Sequence, residues 1–159
     1  MNYIIREMHS YEYPLLEDFL YEAIFQRDEN NLAPKSIIQK PELQVYIQNF
    51  GCKQGDYCLC AEADEKVIGA VWVRTINGFG SIDNHTPEFA ISLYKEYREM
   101  GIGTELMKQM IEHLKEDGYS NASLAVQKDN YAVEMYRKLG FQTEAENEEE
   151  YIMVRNLQC

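Results

Sequence analysis

Seven consecutive residues, Arg98, Glu99, Met100, Gly101, Ile102, Gly103 and Thr104, carry the densest chemical signal in the chain. Two glycines one residue apart stand where a strand pattern runs into an amphipathic helix pattern, and glycine there lets backbone N–H groups come close to a ligand. A helix N-terminus adds unpaired donors and a partial positive charge, so the turn suits a diphosphate, with Arg98 as an additional cation. The same G-x-G also serves tight packing in chains that bind nothing, so its context decides. A dinucleotide-binding turn calls for a third glycine where Leu106 stands, and a Walker A loop calls for G-K-[ST], which is absent.

Other chemical groups are sparser. Tyr136 follows Ala132 by four residues, which puts both on one helix face, although a tyrosine among 12 is by type more often a core aromatic. Cys58 and Cys60 are two apart on a strand pattern, share a face and are poorly placed to bridge each other; with Cys52 and Cys159 they read as reduced thiols. No histidine lies near them in sequence to make a nucleophile pair. His9, His85 and His113 are scattered and no second cysteine pair accompanies the first, so no metal site is expected.

The elements that must position these groups follow from periodicity. A strand is expected over Tyr3 to Met8 and a helix over Ser10 to Arg27, with Leu16, Phe19, Leu20 and Ala23 at helical spacing. A second helix opens at Pro41 and carries Leu43, Tyr46, Ile47 and Phe50 before Gly51 and Gly55. Tyr57 to Ala63 and Val67 to Thr75 form a hairpin around Asp64-Glu65-Lys66, and a loop spans Asn77 to Thr86. Then come a strand over Glu88 to Tyr94, a helix over about Gly103 to Lys115 ended by Gly118, and a strand over Asn121 to Val126. A helix over Asn130 to Leu139 and strands from Phe141 and over Tyr151 to Leu157 complete the chain. The acidic run Glu144 to Glu150 reads as a solvated turn. This order predicts an α/β or α+β three-layer sandwich, a mixed central sheet of about seven strands with helices on both faces, as one domain over residues 1–159.

Bulk properties narrow the partners. The 159 residues are 45% hydrophobic, enough for one ordinary core. With 27 acidic against 15 basic side chains the net charge is -12, which repels nucleic acid and anionic membrane surfaces and favours a cationic partner. No stretch approaches a signal segment or a membrane span of about 20 apolar residues, so a cytoplasmic protein is expected.

Taken together, the strand leading into Arg98-x-x-Gly101-x-Gly103 and the downstream Asn130-x-Ala132-x-x-x-Tyr136-x-x-x-Gly140-Phe141 resemble the GNAT superfamily of acyl-CoA-dependent N-acyltransferases. The likeness is strongest from Pro87 to Phe141, and the upstream elements occur in the order that fold requires. The resemblance implies acetyl-CoA as cosubstrate, its pyrophosphate on residues 98–104 and its pantetheine arm against Ile91, Ser92 and Leu93 between two splayed strands. It places Asn130 near the arm, and Tyr136 at the position of the acid that protonates the departing thiolate. A backbone N–H near Leu93 could hold the developing oxyanion.

Acetylating an amine also needs something to take a proton, because an alkyl ammonium has a pKa of about 10.4. Glu88, in Pro87-Glu88-Phe89-Ala90, is the candidate base: the matching position carries a carboxylate in some family members, and partial burial would raise its pKa. A glutamate opening a strand is otherwise often just solvated. Family members that acetylate protein N-termini often carry a glutamate where this chain has Ala125, so a small-molecule amine is the favoured acceptor and a protein the other option. Glu17, Asp18, Glu22, Trp72, Phe79 and His85 are candidates for the acceptor pocket wall. Competing readings are a non-catalytic acyl-CoA sensor or interaction module, which would bind coenzyme A without releasing thiol, and a nucleotide-binding oxidoreductase. The acceptor's identity and the oligomeric state, a homodimer among the options, stay open at this level.

Overall fold

The computed structural model describes residues 2–26 and 28–158. The reading of Cys159 as a free thiol, and the exact end of the first helix at Arg27, lie outside them. Strands β1 (Ile4–Glu7), β2 (Tyr57–Ala63), β3 (Lys66–Arg74), β4 (Glu88–Leu93), β5 (Asn121–Gln127), β6 (Gln142–Glu146) and β7 (Glu150–Asn156) form one sheet in the order β1-β2-β3-β4-β5-β7-β6. All neighbours run antiparallel except β4 and β5. The helices are α1 (Leu16–Ala23), α2 (Pro41–Gln44), α3 (Ile102–Glu116) and α4 (Ala132–Lys138).

Strand alternation divides the core between the two faces of the sheet. Leu59, Val71, Val73, Phe89 and Leu93 pack with Leu106, Met110 and Leu114 of α3. Their neighbours Cys58, Cys60, Ala70 and Trp72 face the other way, onto Leu16, Phe19 and Leu20 of α1 and Phe50. The mixed seven-stranded sheet covered on both faces is therefore the architecture the periodicity predicts.

The helices on the α1 side are shorter than expected, for local reasons. Residues Ser10–Leu15 form a 3-10 turn that contains Pro14, and the α-helix proper starts only at Leu16. The helix opened by Pro41 lasts four residues and gives way to turns, with Asn49 at φ 53° and Gly51 at φ 98°. A further 3-10 turn, Lys35–Gln39, has no clear signal in the sequence. The hairpin between β2 and β3 turns on Asp64 and Glu65 with φ of 51° and 63°, the left-handed pair that matches strand twist.

One buried ion pair ties the irregular segment after α2 to the sheet. Arg74, at the end of β3, meets Asp56 at 2.9 Å with both side chains almost fully buried. It also donates to the carbonyls of Val45 (3.1 Å), Gln48 (2.6 Å) and Asn49 (3.2 Å). Trp72 adds an indole N–H bond of 3.1 Å to the carbonyl of Tyr46. No helix among the described residues is long and apolar enough to cross a membrane.

Candidate active site

The one parallel contact in the sheet is also its weakest. β4 and β5 pair only at Glu88 opposite Ser123, where the N–H of Ser123 reaches the carbonyl of Pro87 at 3.0 Å; beyond that the strands part. The ladder between β3 and β4 fixes what β4 turns toward the gap. Tyr94 donates to Ile68 at 3.0 Å, so Ser92, Ala90 and Glu88 share its phase and bond β3. Ile91 and Leu93 direct their backbone groups at the gap instead. Around that gap lies a cleft of about 850 Å³, within the range of small-molecule sites.

The turn from β4 into α3 forms one end of the cleft. Glu99 and Gly101 both adopt left-handed backbone, φ 63° and 84°, and Gly101 caps α3 without any side-chain partner. The helix's own hydrogen bonds begin only at Glu105, whose N–H reaches Gly101 at 3.2 Å, so the preceding N–H groups are free for a ligand. Glu99, Gly101, Gly103 and Thr104 line the cleft. Met100 and Ile102 offer only backbone: the first side chain is 54% exposed and the second sits in the core beside Leu106. Arg98 is engaged by its own fold, donating to the carbonyl of Leu93 at 3.0 Å and pairing with Glu22 at 3.1 Å.

Ile91 and Leu93 line the cleft; the hydroxyl of Ser92, although in the same strand, donates to the carbonyl of Phe19 at 2.6 Å and anchors α1. On the opposite wall the side-chain oxygen of Asn130 accepts the N–H of Ala132 at 2.9 Å. That bond holds the side chain at the start of α4, where Asn130 lines the cleft. Tyr136, from the middle of α4, also lines the cleft, buried against Phe141, and burial raises its phenol well above the ordinary tyrosine value.

Glu88 is deeply buried, 2% exposed, at the point where the strands separate. One carboxylate oxygen accepts a short hydrogen bond from the Tyr46 hydroxyl and another, 3.0 Å, from the N–H of Gly80. The other oxygen, Oε1, is buried without a partner among the described residues. Burial raises the carboxyl above its usual value, against the lowering influence of the Tyr46 and Gly80 hydrogen bonds, and the nearby Glu150 raises it further. The Tyr46 hydroxyl in turn accepts the N–H of Phe79 at 2.9 Å, and the two rings stack with centroids 6.3 Å apart. Gly80 fits because it lacks a side chain: a Cβ there would lie 2.6 Å from the backbone of Leu124.

The acceptor-wall candidates divide. Phe79 and Glu22 line the cleft, the latter already paired with Arg98. Trp72 is core, Asp18 reaches only the Tyr94 hydroxyl at 3.4 Å, and Glu17 and His85 lie on the exposed surface away from the cleft. Ala125 lines the cleft on β5. The acidic run needs correction: Glu150 is the first residue of β7, half-buried and lining the cleft beside Glu149. Extending the alternation of Tyr151 to Leu157 back by one residue would have placed Glu150 on the face of Ile152. Tyr46 was missed too, because its role depends on the Arg74 and Trp72 contacts that hold its segment.

Cys58 and Cys60 are buried and unpaired, and burial pushes the Cys60 thiol up to about 11, so neither suits a nucleophile. No group of three or more metal-ligating side chains that could hold an ion occurs among the described residues.

Comparison with known proteins agrees with this geometry. Solved structures of the same fold include the PaiA N-acetyltransferase of Thermoplasma acidophilum in complex with coenzyme A. It is 21% identical, with 98% of this chain and 99% of that chain covered at a TM-score of 0.72. YncA of Salmonella typhimurium, with its cofactor acetyl-CoA, is 15% identical, with 100% and 96% covered and a TM-score of 0.72. The ribosomal-protein-S18-alanine N-acetyltransferase of Escherichia coli is 14% identical, with 99% and 96% covered and a TM-score of 0.70. A family model matches residues 17–141, from α1 through the glycine turn to the end of α4, and the chain belongs to the acetyltransferase (GNAT) family.

Proposed function

We propose that this chain, acting as a single domain in the cytoplasm, moves the acetyl group of acetyl-CoA directly onto a primary amine of a small molecule. The observation that carries the reading is the cleft itself. It joins a helix N-terminus with free N–H groups, a strand edge with unpaired backbone groups, a buried carboxyl and a buried phenol. The residues present fit the cosubstrate: backbone donors at Gly101 to Thr104 suit a diphosphate, and the exposed edge at Ile91 and Leu93 suits an amide-bearing arm.

Glu88 acts as the base, taking a proton from the acceptor ammonium, directly or through water, so that the neutral nitrogen can bond to the acyl carbon. The N–H of Leu93 stabilises the carbonyl oxygen as charge builds there. Tyr136 donates its proton to the sulfur as the carbon–sulfur bond breaks; the burial that raises the phenol also raises the basicity of a desolvated thiolate. A protein amine is the alternative acceptor, and the aliphatic residue at Ala125 favours the small one.

Thermal unfolding with acetyl-CoA, coenzyme A and NAD tests the cosubstrate class, since a ligand at 100 times its Kd adds about 2.7 kcal/mol. A shift of several degrees is expected with the coenzyme A pair alone. No shift with either would remove the reading.

A further inference from the structure

Glu88, the base proposed above, borders the cleft, yet its carboxylate offers an acceptor no open lone pair. Oε2 already accepts two hydrogen bonds, from the Tyr46 hydroxyl and the N–H of Gly80, which is all that one carboxylate oxygen takes in its plane. Oε1 is buried beneath Gly78, where an added Cβ would lie 2.8 Å from it. An ammonium cannot dock on the carboxylate without breaking one of these contacts. Tyr46 is placed differently. It lines the cleft, donates to Glu88 and accepts the N–H of Phe79 at 2.9 Å, so its oxygen keeps one further lone pair. Three contacts fix it: the stacked Phe79 ring, the Trp72 indole on its own carbonyl at 3.1 Å, and Arg74 on the carbonyl of Val45 at 3.1 Å.

We propose that Tyr46 is a catalytic proton relay: its oxygen takes a proton from the acceptor ammonium as its own proton passes to Oε2 of Glu88. One N–H and one O–H bond break and two O–H bonds form. The amine becomes neutral, the phenol is regenerated and the carboxylate becomes a carboxylic acid. The proposal rests on Glu88 being the base and supplies the route by which the proton reaches it. Moving both protons together spares the site a phenolate, which burial and the neighbouring Glu88 disfavour. Glu150 is a further titratable neighbour of both groups and disfavours negative charge on either.

The test compares two acceptors of similar size in coenzyme A thiol release from acetyl-CoA. Ethylamine is an ammonium at neutral pH, whereas the fluorines of trifluoroethylamine leave it neutral and spare it the relay. At the high-pH plateau, kcat of Tyr46→Phe should fall by about 10²-fold on ethylamine and by only about threefold on trifluoroethylamine. A plateau restored to the parent's height, with only the rising limb displaced, makes Tyr46 a positioning residue and overturns the relay. Equal losses on the two amines overturn it as well. Should Tyr46→Phe fail to fold, Gly78→Ala carries the same comparison, because its Cβ would lie 2.6 Å from the Tyr46 hydroxyl and displace it. Glu88→Gln should show the same selective loss on ethylamine; an unchanged ethylamine rate there overturns Glu88 as the base, and the relay with it. Thiol release to neither amine overturns the acetyl transfer to simple amines on which the relay depends.

Discussion

At the scale of single residues the proposed mechanism rests on two buried groups, a phenol that gives a proton and a carboxyl that takes one. Tyr136→Phe keeps the ring against Phe141 and removes the hydroxyl, so turnover should fall by about 10²–10⁴-fold with acetyl-CoA affinity nearly intact, read from thiol release and a binding titration. In the proposed mechanism Glu88 must lose its proton to act, so the rate should rise with pH through its elevated pKa, and Glu88→Gln should flatten that rise. Tyr46→Phe removes a hydrogen bond that lowers the Glu88 pKa, so the rising limb of the pH–rate profile should move to higher pH. Stability carries the same signature with a definite sign. The folded carboxyl binds its proton more tightly than the unfolded one, whose pKa is about 4.5, so the contribution of Glu88 to stability is lost as pH rises through the folded pKa. The Tm of Glu88→Gln relative to the parent should therefore climb from acid to neutral pH; a constant difference would count against the burial.

Among the elements, those with strong periodicity were legible and those without it were not. The strands from β2 to β5 and helix α3 fall within a residue or two of their expected ranges, because the strands are largely apolar runs of six or more residues bounded by polar turns and α3 repeats at helical spacing. The glycine turn could be singled out from local sequence, whereas Asn130, Tyr136 and Glu88 stood out through the resemblance to the GNAT family, which marks their positions. Tyr46 could not, since nothing local says that Pro14 and Asn49 truncate the first two helices or that a buried arginine gathers the segment between them. That arginine is open to test. Asp56→Asn leaves Arg74 buried without its counter-charge and should cost about 3–5 kcal/mol, or about 10 °C in Tm at this size. Loosening residues 45–49 should also weaken the hold of Tyr46 on Glu88, lowering kcat in whatever fraction stays folded.

For the molecule as a whole, a net charge of -12 should draw cationic acceptors toward the cleft, and kcat/KM for a charged amine should fall as ionic strength rises. The parting of β4 from β5 has a consequence of another kind. Strands β1 to β4 and β5 to β7 are two separately knitted plates, joined along the backbone by a single stitch at Glu88 and Ser123. An extended arm lying in the gap would serve as the strand the protein does not encode, so cosubstrate binding would finish the sheet as well as load the site. The amides of Ile91 and Leu93, though central in the fold, should then exchange with deuterium quickly in the free protein and become among the slowest once acetyl-CoA is added.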